Sequence, residues 1–509
     1  MNSTRTPAVV SPTSPRQRWL LLVTVSAGLL LITLDNSILY TALPTLTEEI
    51  GASPSQGLWI INAYPLVMAG LLLGAGTLGD RVGHQRMFLV GLVIFAAASL
   101  VAAFAPAPEV LIAARAVLAV GAASMMPATL ALIRIAFTIE RERNVAIAVW
   151  GSVALIGSAL GPIVGGALLE HFWWGSVFLV NVPVAVIALL VVLKVAPHND
   201  PDPSKTWDLL SSVQVMVAMV GLVFALKEVT KPGPSWPVVA AALVAAALGA
   251  ITFTRRQSRL DHPLLDFSIF RNRAFAAGVL AAAFAMFAVG GIQLVTSQRY
   301  QLVEGLSPLE AGALVAAVAV GALPTGLLGG AFLHVVGLRT LIGGGLTVST
   351  VGVVVTVTSF QSGLGWMIAG LALTGMGLGA AMSVASTAIV GNVPPRRAGM
   401  ASSLEEVSYE FGSLTAVAIL GSLLTAIYTS TITLPPGALA EAGDSLSGAL
   451  STSASDPGIL EAAFTAFDHG YSVVMVVVAA VLATGAALTT ALLWRYGPGS
   501  ASSSYDSDH

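Results

Sequence analysis

Gly76-Thr77-Leu78-Gly79-Asp80-Arg81-Val82-Gly83-His84-Gln85-Arg86 is a short polar break between two long apolar runs, Leu58–Gly79 and Met87–Ala105. Its glycines permit a tight turn between two helix ends, and Asp80 can pair with Arg81, Arg86 or a neighbouring helix end. Each flanking run holds about 20 residues, the length of a helix that crosses a bilayer. The rest of the chain repeats this pattern. Of its 509 residues, 56% are hydrophobic and 10% charged, and the mean hydropathy is +0.85. A soluble domain carries roughly 25% charged residues, and no soluble core is large enough to hide such an apolar excess. The solvent of this fold is therefore lipid. The absence of Cys excludes disulfides, thiolate metal sites and cysteine nucleophiles. The seven His show no metal-ligand spacing. Residues 1–18 are polar and run straight into a long span, which argues against a cleaved signal peptide.

Apolar stretches of this length predict fourteen spanning helices. They lie at Trp19–Leu43, Leu58–Gly79, Met87–Ala105, Val110–Ile133, Val145–Leu169, Ser176–Val195, Leu209–Leu226 and Trp236–Phe253, then at Ala274–Ser297, Leu309–Leu333, Leu338–Phe360, Leu364–Val390, Ala398–Tyr428 and Tyr471–Leu493. Nineteen of the 23 Lys and Arg then fall on one side, among them Arg5, Lys205, Arg396 and Arg397. Lys227, Lys231 and Arg299 fall on the other, and Arg115 lies inside a span. That bias predicts cytoplasmic termini. The basic connection Thr254–Arg273 is then cytoplasmic. Ser430–Gly470 is external and acidic, with a helix-like stretch Pro457–Phe467 behind Asp456. This long loop reads either as a solvated cap or as a lid over the outward mouth.

In the fifth span stands Gly157-Ser158-Ala159-Leu160-Gly161-Pro162-Ile163-Val164-Gly165-Gly166. Small residues every four positions let another helix approach closely, and Pro162 bends the helix. The ordering of Gly76, Asp80, Arg81 and Gly83, followed by Arg86, resembles the signature loop of the major facilitator superfamily, where it latches helices and controls opening. The Gly157–Gly166 stretch is similar to the antiporter motif found in that superfamily's exporters. Leu34–Pro44, Trp59–Tyr64, Trp150, Gly166–Phe172, Phe178–Pro183, Gly305–Pro308 and Glu405–Gly412 extend the resemblance over nearly the whole chain. Together they resemble the fourteen-span drug–proton antiporters of the superfamily. The resemblance implies an all-α integral membrane fold of two six-helix bundles with an inserted helix pair. Residues 1–18 would be a cytoplasmic tail, 19–196 the first bundle, and 197–273 the inserted pair with its basic linker. Residues 274–495 would be the second bundle, carrying the external loop 430–470, and 496–509 a second cytoplasmic tail.

Charges inside apolar runs mark the candidate site, because an ionised side chain in hydrocarbon costs at least a few kcal/mol and usually sits on an ion or substrate path. Glu406 and Glu410 are spaced i, i+4 and share a helix face. Desolvation and a like neighbour both favour a neutral carboxyl, so this pair is suited to taking up and releasing protons. Glu405 is rotated about 100° away, and either Glu405 or Glu406 supplies the second acid. Asp35 lies about 24 Å along the first span from Trp19, a depth comparable with that of Glu410. The resemblance makes Asp35 a cation- and proton-binding carboxylate; by its position alone it could instead cap a short first span. It likewise makes Arg115 an arginine of proton coupling, with a static counter-ion to Asp35 or to a backbone carbonyl as the alternative. Asn62 stands where some relatives carry an acid, and the tenth span has no carboxylate in its interior. Trp59, Tyr64, Trp150, Phe284, Phe287 and Tyr409 are candidate cavity aromatics for cation–π contacts, each otherwise a packing residue.

These features predict a proton-coupled multidrug exporter of lipophilic, mainly monovalent cations, working by alternating access. Dyes, quaternary ammonium compounds and fluoroquinolones are the expected cargo, and an endogenous metabolite, amino acid or lipid-like compound is the alternative. The chain is expected to be no enzyme and to need no cofactor or metal, being driven by the proton motive force. No G-x-x-x-x-G-K-[ST] is present to power it with ATP. Its expected partners are small cations, protons and the lipid of a bacterial cell membrane, with no nucleic acid, and it is expected to act as a monomer.

Overall fold

The computed structural model describes residues 14–196, 201, 207–229, 234–260, 263–359, 362–393, 398–434, 440–453 and 456–497. The chain's distal tails and Arg5, Lys205, Lys231, Arg396 and Arg397 lie outside these residues. The described chain is helical, with no strand. Its long helices are α1 (Pro15–Ile50), α2 (Pro54–Val82), α3 (His84–Ala103), α4 (Pro108–Ala136), α5 (Glu140–His171), α6 (Ser176–Val195) and α7 (Leu209–Val229). They continue as α8 (Trp236–Gln257), α9 (Arg273–Leu302), α10 (Pro308–Val336), α11 (Thr340–Ser359), α12 (Leu364–Val390), α13 (Met400–Thr431) and α14 (Pro457–Leu492). Among the described residues, 13 helices are long and apolar enough to cross a membrane. The remaining expected span, Val145–Leu169, is the inner part of the 32-residue α5.

Local chemistry sets the helix starts. Ser14, Ser53 and Ser307 accept from the backbone N–H of Gln17, Gln56 and Glu310, whose side chains reach back to the capping residue's N–H. Pro15, Pro54 and Pro308 follow these caps, where the missing N–H would have had no partner. Between α2 and α3 a single residue, Gly83, turns the chain at φ 96°, a conformation that strains any residue with a Cβ.

Helix contacts fall into two sets, α1–α6 and α9–α14, with α7 and α8 packed as a pair against α2. Lys227 near the end of α7 fastens this pair: its Nζ donates to the Ser55 carbonyl at 3.0 Å and lies 4.5 Å over the Trp59 ring. The two sets meet where α5 crosses α10, where α2 lies on α13 and where α1 lies on α9. Between α13 and α14 are two short helices, Ala440–Asp444 and Leu446–Ser453. The Tyr428 hydroxyl donates to the Ala442 carbonyl at 2.9 Å and holds the first of them. Pro457–Phe467, expected as a separate stretch, forms the first turns of the continuous α14, because Asp456 caps that helix and nothing breaks it before Leu492.

Candidate substrate and proton site

Asp35 sits mid-helix, since α1 runs on to Ile50 and does not end near it. It is 2% exposed, and Arg115 of α4 is fully buried beside it. Arg115 Nη1 pairs with Asp35 Oδ2, and its Nε donates to the Ile60 carbonyl at 3.3 Å. The guanidinium lies 4.6 Å over the Tyr64 ring. Asn181 of α6 closes the other side, donating from Nδ2 to Asp35 Oδ1 at 2.8 Å and to Ser99 Oγ at 3.3 Å. Both contacts raised for a static Arg115, to Asp35 and to a carbonyl, are therefore present in this conformer. Asn181 lies in the Phe178–Pro183 stretch that carries the resemblance, but its role is not legible in sequence, because an uncharged amide in an apolar run carries no signal of what it touches.

Several buried polar atoms around this pair have no partner among the described residues. They are Arg115 Nη2, both side-chain polar atoms of Asn62, the Tyr64 hydroxyl and Glu410 Oε2. Buried groups of this kind are rare in folded proteins and mark places that admit water or a ligand.

The three acids of α13 have different surroundings. Glu405 is buried and accepts from the Tyr409 hydroxyl at 2.9 Å. Glu406 and Glu410 share the next face and are half-buried. Tyr64 of the first helix set lies under the Arg115 guanidinium and within electrostatic reach of both Asp35 and Glu410. A direct bond gives the relative depth. The Tyr40 hydroxyl meets Ser413 Oγ at 2.7 Å. Asp35 is five residues before Tyr40 and Glu410 three before Ser413, so at 1.5 Å per residue the two acids differ in depth by roughly 3 Å.

The aromatic candidates separate in the structure. Trp150 donates to Thr129 Oγ1 at 3.0 Å, between α5 and α4. Phe284 packs where a Cβ on Gly485 would meet it at 2.8 Å, inside the second helix set. Phe287 is buried, Tyr409 is engaged by Glu405, and Trp59 faces Lys227 and Phe224 of α7. Tyr64 alone of this group is placed against Arg115.

In the α2–α3 turn, Asp80 bonds His84 Nε2, on the first residue of α3, at 3.0 Å; of the expected partners Arg81, Arg86 and a neighbouring helix end, this is the last, met through a side chain. The cause is the Gly83 turn, which brings His84 back until its ring would lie 2.5 Å from a Cβ on Gly79. Arg81 and Arg86 are exposed, and Gly76 has open space at its Cβ position. The glycines of α5 act on two neighbours. A Cβ at Gly157 would meet Thr33 Oγ1 at 2.0 Å, one at Gly161 would meet Ser37 Oγ at 1.8 Å, and one at Gly165 would meet Ile38 at 2.9 Å, all on α1. At Gly166 it would meet the Leu309 backbone at 2.4 Å, and the Pro162 carbonyl lies 2.2 Å from the Cβ position of Gly312. The motif thus seats α1 beside Asp35 at one end and α10 of the other helix set at the other end. A cavity of about 490 Å³ lies away from the acids, between α1, α2, α13 and the two short helices, lined by Thr47, Leu58, Gln298, Tyr428 and Asp444 among others.

Two helix sets meeting along a seam, with charges buried beside it, define a multi-pass membrane transporter. The profile of the Major Facilitator Superfamily matches residues 25–303, and that of sugar (and other) transporters matches residues 273–432. The chain belongs to the major facilitator superfamily. It is 38% identical to the multidrug efflux pump LfrA of Mycolicibacterium smegmatis, over 95% of this chain and 97% of LfrA. To the methyl viologen resistance protein SmvA of Salmonella typhimurium it is 36% identical, over 90% of this chain and 95% of SmvA. Its fold matches the crystal structure of a bacterial homologue of the human lysosomal transporter Spinster with a TM-score of 0.66, at 19% identity, covering 95% of this chain and 98% of that one.

Proposed function

We propose that this transporter exports lipophilic, mainly monovalent cations in exchange for protons by alternating access, with dyes, quaternary ammonium compounds and fluoroquinolones as cargo. The observation that carries the reading is the Glu410 carboxyl of α13, with one oxygen unsatisfied among the described residues, at a depth comparable with the Asp35–Arg115 pair of the first helix set. The drug-efflux and resistance names of LfrA and SmvA support an exporter, as does the glycine motif of α5. Glu410 and Glu406 serve as the acids that a proton and a cation compete for, and Glu405 serves as a hydrogen-bonded neighbour. Such competition couples the two fluxes without any long-range device, since each ligand shifts the population of the state that binds it better. Asp35 and Arg115 complete the site: a cation or proton that draws one from the other changes the charge seen by Tyr64 and Glu410. A membrane potential contributes about 2.3 kcal/mol per charge per 100 mV, enough for concentrative export. A neutral Asn62 and an α10 interior without carboxylates leave fewer negative charges in the cavity, which favours single over double positive charge. The chain acts in a bacterial cell membrane with both termini cytoplasmic, as a monomer, with α7 and α8 an insertion between two six-helix bundles.

The test is ethidium efflux from preloaded cells, with and without an uncoupler, for the wild type and for Asp35→Asn and Glu410→Gln at matched expression. Uphill efflux by the wild type should stop on uncoupling, and both variants should lack it without uncoupler. Unchanged efflux in both variants rejects the site, and efflux that survives uncoupling rejects proton coupling. Equal transport of monovalent and bis-quaternary dyes rejects the charge preference.

A further inference from the structure

The described part of the connection from α8 to α9, residues 263–272, is anchored to α7 and α8. Gln257 Oε1 accepts the Leu264 and Leu265 N–H groups at 2.7 and 3.2 Å, and its Nε2 donates to Ser211 Oγ of α7 at 2.6 Å. Asp266 accepts the Ser268 N–H at 2.9 Å and caps the 3₁₀ turn Phe267–Arg271. Leu264, Leu265 and Ile269 are buried in a cluster with Phe275, Ile389 and Leu404.

The other face of this anchored segment is exposed, and its composition is unusual. Phe267 is 42% and Phe270 37% exposed. Residues three apart in a 3₁₀ turn share a face; the Phe267 ring meets Phe253 edge-on at 6.4 Å and the Phe270 ring meets Phe275 at 5.4 Å, while Ile269 turns inward. Arg255, Arg259, Arg271 and Arg273 are exposed around them, and none makes an ion pair among the described residues; Arg256, by contrast, is paired with Asp208 at 2.8 Å. The segment joins the ends of two candidate spans, which places it at the level where hydrocarbon gives way to headgroups. Exposed aromatic rings and exposed arginines on one segment suit that level, because the rings favour the acyl boundary and the guanidiniums favour phosphate.

We propose that the described residues 255–260 and 263–273 form a shelf that binds anionic phospholipid headgroups, with the phosphodiester held by Arg255, Arg259, Arg271 and Arg273 and the glycerol–acyl region resting on Phe267 and Phe270. Clusters of basic side chains next to a span bind anionic lipid, each arginine strengthening the attraction about fivefold. The shelf is independent of the transport reading, because none of its residues belongs to the acid site.

Native mass spectrometry of the full-length protein, titrated with phosphatidylglycerol or phosphatidylcholine, tests it. The wild type should bind phosphatidylglycerol at least about fivefold more tightly than Arg255→Gln/Arg259→Gln/Arg271→Gln/Arg273→Gln, with no such gap for phosphatidylcholine. Phe267→Ser/Phe270→Ser should weaken the same binding. A control quartet of exposed arginines elsewhere, Arg16→Gln/Arg86→Gln/Arg134→Gln/Arg495→Gln, should bind as the wild type does, and excess inorganic phosphate should not displace the lipid. Equal binding by the wild type and the shelf quartet overturns the proposal, as does an equal loss in the control quartet. Displacement by inorganic phosphate makes this a simple anion site and also overturns it.

Discussion

Asp35 of α1 and Glu410 of α13 are carboxylic acids at similar depth on opposite sides of the seam, and they differ in how their charge is met. Asp35 is closed off by Arg115 on one oxygen and Asn181 on the other. Glu410 is half-buried, with one oxygen that nothing among the described residues satisfies. A buried pair such as Asp35–Arg115 contributes little net stability, because desolvation of both ions offsets their attraction, yet removing one partner is very costly. An open carboxyl is the reverse case: its loss leaves no charged partner stranded in the resting structure. One half of the seam therefore holds a paired charge, while the other presents a carboxyl with an oxygen left open.

The largest effect that tests this contrast is on folding. Arg115→Gln leaves Asp35 as a buried charge without a counter-ion and should destabilise the protein by about 3–5 kcal/mol. Glu410→Gln should stay within about 0.5 kcal/mol of the wild type. Denaturant unfolding in detergent micelles reads both, and equal losses would collapse the distinction between the two acids. Asn181→Ala sharpens it at a smaller scale. It removes a 2.8 Å donor from Asp35, and a buried acceptor left unsatisfied costs about 1–3 kcal/mol. A wild-type unfolding midpoint for this variant would mean that Arg115 alone holds the acid.

The same contrast marks how far the sequence could be read. Span number and order were legible because a run of about 20 apolar residues is a one-dimensional property. The charges at Asp35, Arg115 and Glu410 stood out against such runs for the same reason. Partners were less legible. The 100° step from Glu405 to Glu406 shows that the two face different ways, yet only the folded structure shows that Glu405 is the one tied up, by the Tyr409 hydroxyl at 2.9 Å. His84 as the partner of Asp80 was hidden because the helix ends between them: helical spacing does not carry through the Gly83 turn. Asn181 reaches Asp35 only through the meeting of α6 with α1, which no local pattern encodes.

The smallest effect concerns the seam itself. Tyr40 and Ser413 form a buried side-chain hydrogen bond across it, and Gln301 Nε2 adds a second link to the Thr41 carbonyl at 2.9 Å. Both lie on the side of the acids that faces the two short helices, so in this conformer the seam is joined by hydrogen bonds at that end. Tyr40→Phe keeps the ring and deletes only the first link. A neutral hydrogen bond contributes about 1 kcal/mol net, so global stability should fall by no more than about 1.5 kcal/mol. The consequence for the bundle equilibrium is larger in proportion. If the two helix sets part at this end during transport, the bond exists in one state and not in the other, and about 1 kcal/mol moves the ratio of the states roughly fivefold. Spin labels at Glu49→Cys on α1 and Glu461→Cys on α14, both exposed, should report a larger long-distance fraction in Tyr40→Phe than in its parent. An unchanged distance distribution, with the expected small loss of stability, would show that the bond persists in both states and that the seam opens elsewhere.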